Sequence, residues 1–231
     1  MDILEQTKPN KNKWISFLAD GVLSGLMLGI GGMVSLSSEN RFLGAFLFSL
    51  GLFCIVQFKY GLFTGKVGYI VNRDLPYVAE TAVTLVGNAL GTLIAALLLR
   101  QVRFFTSTVN TMDVTISDRV QATVDGKIHD NPLSIFILAI FCGILMFTAV
   151  EGSRKCKEEK NFAGSLFVVV MPVMVFIICG FNHCIADMFY YFFAGCPEPS
   201  KAIVYFILAI AGNSVGGMIV PLLKKLSNQP L

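Results

Sequence analysis

The sequence predicts an all-α integral membrane protein with six transmembrane helices, built as two inverted three-helix repeats in which helices two and five are broken at mid-membrane. Three observations lead there. Hydrophobic residues make up 55% of the 231 positions and charged residues only 14%, whereas soluble domains carry roughly 25% charged residues to cover a water-facing surface. The apolar residues fall into six runs of the length that a spanning helix requires, about 20 residues. Two of those runs are too long for a single span, and each carries a glycine-marked polar interruption.

The runs cover residues 14–36, 42–71, 81–99, 133–150, 163–193 and 202–223. The first is too long for a signal-peptide core and no small-residue cleavage site follows it, so it is expected to remain in the mature protein. In the second and fifth runs, about 30 residues of straight helix would reach ~45 Å against a hydrocarbon core of ~30 Å. Their interruptions are Gly61-Leu62-Phe63-Thr64-Gly65 and Gly180-Phe181-Asn182-His183-Cys184. Non-helical backbone survives at membrane depth only where protein or a water-filled cavity satisfies its polar groups, so paired breaks point to a transport path.

The halves also match in the run after each break, VGNALGTLIAALL in the first and AGNSVGGMIVPLL in the second, with Asn88 and Asn213 in the same place. An odd number of spans per repeat turns the second half upside down relative to the first. The whole chain, 1–231, therefore reads as one transmembrane channel domain, its repeats at about 14–100 and 132–225. For the two asparagines, helix packing through the small residues of GNxxG and a place facing the pathway are both open.

Positive charge favours cytoplasmic flanks. With the N-terminus inside, Lys8, Lys11, Lys13, Arg73, Arg154, Lys155, Lys157, Lys160, Lys224 and Lys225 lie inside, against Arg41, Arg100, Arg103, Arg119, Lys127 and Lys201 outside. Both termini are placed in the cytoplasm of a multi-pass protein of the cell membrane. The connection at about 100–131 is then an outer polar loop; its aspartates 113, 118, 125 and 130 lack calcium-loop spacing, and it is expected to be solvated and without chemistry.

Other classes fit less well. A net charge of +3 without a basic face excludes nucleic acid. The six cysteines show no CxxC pairing and read as small core residues. A membrane-embedded enzyme would need more than Cys184 beside His183 with Asp187 nearby, and two histidines in the chain make a poor metal site, so no catalytic residue, metal or cofactor is expected. A pore for water, ammonia or a similar neutral solute stays as the alternative, although the paired Asn-Pro-Ala signature is absent.

The segments ADGVLSGLMLGIGG, FSLGLFCIVQFKYGLFTG, MPVMVFIICGFNHCIADMF and AGNSVGG resemble the formate/nitrite transporter family, which includes formate, nitrite and hydrosulfide channels. The resemblance covers nearly the whole chain. It implies a homopentamer with one pore per protomer, an aquaporin-like fold, and passage of small monovalent anions with protons. By the same resemblance Thr64 and His183 are the central polar pair, and Asn213 faces the pathway. Phe48, Leu52, Leu62, Phe63 and Phe176 form the two hydrophobic constrictions, and Lys127 stands for the lysine that precedes the fourth span. The chain departs from the family where Asn182 replaces a glutamate that often precedes the histidine, and where Gly-Ile-Leu-Met-Phe replaces a common Cys-Asn pair in the fourth span.

The residues give this a physical reading. An anion of a weak acid cannot cross an apolar constriction as a bare charge, because desolvation costs many kcal/mol, whereas the neutral acid can. An imidazole, with an ordinary pKa near ~6.5, can supply a proton or a hydrogen bond at that point. His183 either protonates the anion transiently or acts as an electrostatic relay. Formate is the first expected substrate, with nitrite and hydrosulfide behind it. Lys59 and Lys66, flanking the first break, would raise local anion concentration if they face the pore, or snorkel to the interface if they do not.

Overall fold

The computed structural model describes residues 12–109 and 113–227. Lys8 and Lys11, both used in the charge count, lie outside the described residues. Nine α-helices are described: α1 (Lys13–Ser37), α2 (Arg41–Phe58), α3 (Phe63–Lys66), α4 (Leu75–Leu99), α5 (Ile116–Ile128), α6 (Pro132–Glu158), α7 (Phe162–Cys179), α8 (Cys184–Phe193) and α9 (Pro199–Leu226). A 3-10 stretch, Val67–Asn72, continues α3.

Six of these helices, α1, α2, α4, α6, α7 and α9, are long and apolar enough to cross a membrane. Several begin where an asparagine can cap them: the side chains of Asn12, Asn40, Asn131 and Asn161 each accept a hydrogen bond from a first-turn amide. Large apolar side chains such as Phe42, Leu50, Val86, Leu97, Phe141, Phe167 and Ile207 remain exposed on the outer faces of the spanning helices. A surface of that kind belongs against lipid or a neighbouring subunit.

Small residues set the closest packing. A Cβ at Gly91 of α4 would sit 2.1 Å from the Val22 carbonyl of α1, and one at Gly216 of α9 would sit 2.0 Å from the Ile140 carbonyl of α6. The pairs α1–α4 and α6–α9 are thus brought together the same way, one in each half of the chain. The short pieces cross over: α8 packs on α1 and α4, while α3 and the 3-10 stretch pack on α6 and α9.

Both interruptions have one local design. Residue 59 and residue 180 adopt the left-handed conformation, at φ 59° for Lys59 and 71° for Gly180. The next amides, Tyr60 and Phe181, then each bond 2.9 Å to a carbonyl five residues back, Ile55 and Phe176, which is the Schellman ending of a helix. Helix resumes at Phe63 and Cys184. The first break therefore occupies residues 59–62, earlier than the glycine pattern suggests, and Thr64 and Gly65 belong to the restarted helix. The reason is that Lys59, not a glycine, takes the left-handed cap, while Gly61 is needed for close approach: a Cβ there would lie 3.1 Å from the Thr84 side chain.

The connection at about 100–131 is more ordered than its polarity suggests. Thr115 and Asp118 form a capping box, and α5 follows with Ile116, Val120, Val124 and Ile128 buried on one face. The expectation of a merely solvated loop is corrected: apolar residues at four-residue spacing give a polar segment one face to bury. Two cysteines also differ from expectation, since Cys179 and Cys196 are exposed, whereas Cys142 and Cys184 are buried.

Candidate functional site

The two breaks meet at Thr64 and His183. The Thr64 hydroxyl and His183 Nε2 lie 3.0 Å apart, and both residues are fully or almost fully buried. His183 is also the N-cap of α8: its Nδ1 accepts from the Ala186 amide at 3.2 Å. An imidazole that accepts at Nδ1 and is neutral carries its proton on Nε2, so these partners assign Nε2–H as the donor to Thr64 Oγ1. The hydroxyl proton of Thr64 is then available to another acceptor.

Each break is fastened by an asparagine. Asn88 donates to the carbonyls of Gly21 at 2.9 Å and Gly61 at 2.8 Å, and its Oδ1 accepts from the Phe63 amide at 2.8 Å. Asn213 donates to the carbonyls of Ala139 and Asn182, both at 2.8 Å, and its Oδ1 accepts from the Cys184 amide at 2.9 Å. In each half the amide ties the first long helix, the irregular backbone and the first residue of the resumed helix together. Buried main-chain groups left open by the breaks are satisfied in this way.

Apolar side chains enclose the pair. Phe48 and Phe176 meet edge to face with ring centroids 5.7 Å apart, and the Phe176 ring lies 5.5 Å from the imidazole of His183. Leu52, Leu62 and Phe63 are also buried. Of the residues singled out in the sequence, Thr64, His183, Phe48 and Phe176 are joined directly by these contacts, while Asn88 and Asn213 reach the group through the backbone.

Two cavities approach the cluster. One of about 390 Å³ reaches Leu62 and is lined by Lys59, Lys66, Arg154 and Lys157. The other, about 430 Å³, reaches Phe176 and is lined by Arg41, Arg119 and Lys127 together with Glu39 and Asp187. Arg154 and Lys157 belong to the last turns of α6, whereas Lys127 precedes that helix, and its 27 residues extend about 40 Å. The cavities thus open at opposite ends of the helical bundle.

Sequence reasoning left several of these cations unassigned. Arg119 donates to the carbonyls of Leu36 and Ser38, and Arg41 to that of Ile178 at 2.6 Å. Arg154 pairs with Glu151, whose carboxylate also accepts from the Tyr69 hydroxyl at 2.7 Å. Glu151 is buried in this network. Lys127 does reach the second break, donating to Asn182 Oδ1 at 2.8 Å, and it lies 3.2 Å from Asp187 Oδ1. Lys66 donates to Thr84 Oγ1 at 3.3 Å and lies over the ring of Phe17. Apart from Glu151, three residues before Arg154, these partners lie far from the cations in sequence.

Six helices long and apolar enough to span a membrane, around a buried polar pair approached from two ends by cavities that each carry several cations, define a multi-pass helical membrane protein of the transport class. The chain belongs to the formate/nitrite transporter family, whose model matches residues 4–225. Among curated relatives, the formate channel FocA of Haemophilus influenzae is 26% identical over 194 residues, covering 79% of this chain and 67% of its own length. The uncharacterized transporter YrhG of Bacillus subtilis is 27% identical over 225 residues, covering 88% of this chain and 81% of its own. A solved pentameric formate channel with formate bound shares the fold at a TM-score of 0.74 and 23% identity, covering 93% of this chain and 97% of that one.

Proposed function

We propose that this protein is a channel for small monovalent anions of weak acids, formate first, with nitrite and hydrosulfide as related substrates. The observation that carries the reading is the Thr64–His183 pair, buried behind Phe48 and Phe176 between two cavities whose charged lining residues are mostly cations. Cationic cavities concentrate anions at both mouths, and the apolar enclosure rejects a bare charge.

The pair supplies what a carboxylate needs there. His183 Nε2–H donates to Thr64, and the Thr64 hydroxyl proton is directed to the anion. A proton that enters with the anion neutralises it at this pair, His183 either taking that proton up and passing it on through Thr64 or acting only as an electrostatic relay; the neutral acid crosses Phe48, Leu52 and Phe176 on one side, or Leu62 and Phe63 on the other, and releases the proton beyond, leaving His183 neutral as before. Asn88 and Asn213 act on the pathway by holding the two breaks in shape, and Lys127 attracts anions at the outer mouth. The reaction at the site is proton exchange, with no covalent catalysis and no cofactor.

Further features follow from the same reading. The one-domain chain consists of two inverted repeats in an aquaporin-like arrangement, with the breaks inside the membrane; the equivalent bonding of Asn88 and Asn213 and the crossing of α3 and α8 into opposite halves support it. The exposed apolar faces serve lipid and the subunit contacts of a homopentamer, the assembly named for the similar solved formate channel. The protein is placed in the cell membrane with both termini in the cytoplasm.

The test is uptake of formate, nitrite and hydrosulfide into proteoliposomes at two pH values, for wild type and His183→Ala. Selective, pH-dependent flux that the substitution alters supports the reading. If folded wild-type protein carries none of these anions but passes water or ammonia, the neutral-pore alternative replaces it.

A further inference from the structure

Asp187 of α8 is buried beside the outer cavity and holds two partners with its two oxygens. Oδ2 accepts from the Tyr205 hydroxyl at 2.6 Å, and Oδ1 lies 3.2 Å from Lys127 Nζ. Lys127 has a second partner, Asn182 Oδ1 at 2.8 Å, and lines the same 430 Å³ cavity as Asp187. The other two cations of that cavity serve the main chain: Arg41 holds the carbonyl of Ile178, and Arg119 those of Leu36 and Ser38. Among the described residues, Lys127 is the one of the three with side-chain partners, which can exchange for an incoming ligand.

We propose that Asp187 is an internal competitor that sets the affinity of the outer mouth: its carboxylate occupies the Lys127 ammonium in the resting protein, and an entering monovalent anion displaces it. A carboxylate and a formate ion offer an ammonium the same acceptor chemistry. Once displaced, Asp187 keeps its bond to Tyr205, so the exchange leaves the buried acid with a partner. A site whose cation is already neutralised binds anions weakly and releases them quickly, as conduction requires. This inference rests on the anion-channel reading.

The experiment is the concentration dependence of formate uptake in proteoliposomes containing the full-length protein. Asp187→Asn is expected to lower the half-saturating concentration at least threefold and to reduce the maximal rate, because release becomes slow. Lys127→Gln is expected to raise the half-saturating concentration, and in that background Asp187→Asn is expected to have no further effect. Tyr205→Phe, which frees the carboxylate to pair more firmly with Lys127, is expected to raise it as well. A half-saturating concentration that Asp187→Asn leaves unchanged or raises overturns the proposal. If Asp187→Asn fails to assemble, an unchanged or lowered value in Tyr205→Phe overturns it instead. Absence of anion flux in the wild type overturns the channel reading itself, a separate outcome.

Discussion

Thr64 and His183, 119 residues apart in the chain, are joined by one 3.0 Å hydrogen bond that spans the two helix breaks. Thr64→Val keeps the shape and removes the hydroxyl, leaving Nε2–H of a buried imidazole without its acceptor at about 1–3 kcal/mol. Formate flux is expected to fall at least tenfold while the protein still assembles, and Thr64→Ser is expected to restore most of it. Stopped-flow uptake together with size-exclusion chromatography checks both outcomes.

Asn88 and Asn213 make equivalent sets of three hydrogen bonds in the two halves. Replacing either with alanine leaves several buried main-chain groups open, each at about 1–3 kcal/mol. Thermal unfolding in detergent is expected to drop by several degrees for each variant, and flux with it. Aspartate is expected to be no better, because it lacks the two N–H donors that reach the carbonyls.

Glycine substitutions are expected to differ sharply by place. Gly216→Ala puts a methyl 2.0 Å from the Ile140 carbonyl and should separate α6 from α9, whereas Gly126 of α5 has nothing within 4 Å of its added Cβ. Gly126→Ala is expected to stabilise by about 0.5–1 kcal/mol through helix propensity. Expression yield and thermal stability of the two variants, measured side by side, decide the point.

Asp118 at the start of α5 is held below its ordinary value by the hydrogen bond from the Thr115 hydroxyl and then by that from the Thr115 amide. A lowered carboxyl stabilises fully above the ordinary aspartate range near ~3.9 and loses that contribution as pH falls through its folded value. Asp118→Asn is therefore expected to loosen the first turn of α5 at neutral pH. Faster amide hydrogen exchange in α5, confined to that helix, is the expected result, and unchanged exchange contradicts it.

Much of the architecture was legible because bilayer length and helix rise act on local sequence. The six runs correspond to the six long apolar helices; the second polar interruption begins where α7 ends, and the first lies just past the end of α2. The precise first break was not legible, since glycine normally marks a left-handed residue and here Lys59 takes that role. The helix α5 was hidden by its polar composition, although Thr115, Asp118 and the apolar spacing from Ile116 to Ile128 carried its signal.

By itself the sequence determined an all-helical membrane chain with two interrupted segments and matched tails, because hydropathy, helix length and residue identity are local quantities. The tertiary structure alone decided which polar groups meet: His183 with Thr64, Asn88 and Asn213 with the broken backbone, and Lys127 with Asp187. Those partners lie far apart along the chain. Which of them face one another depends on how helices from both halves pack, and close approach at small residues such as Gly91 and Gly216 sets that packing.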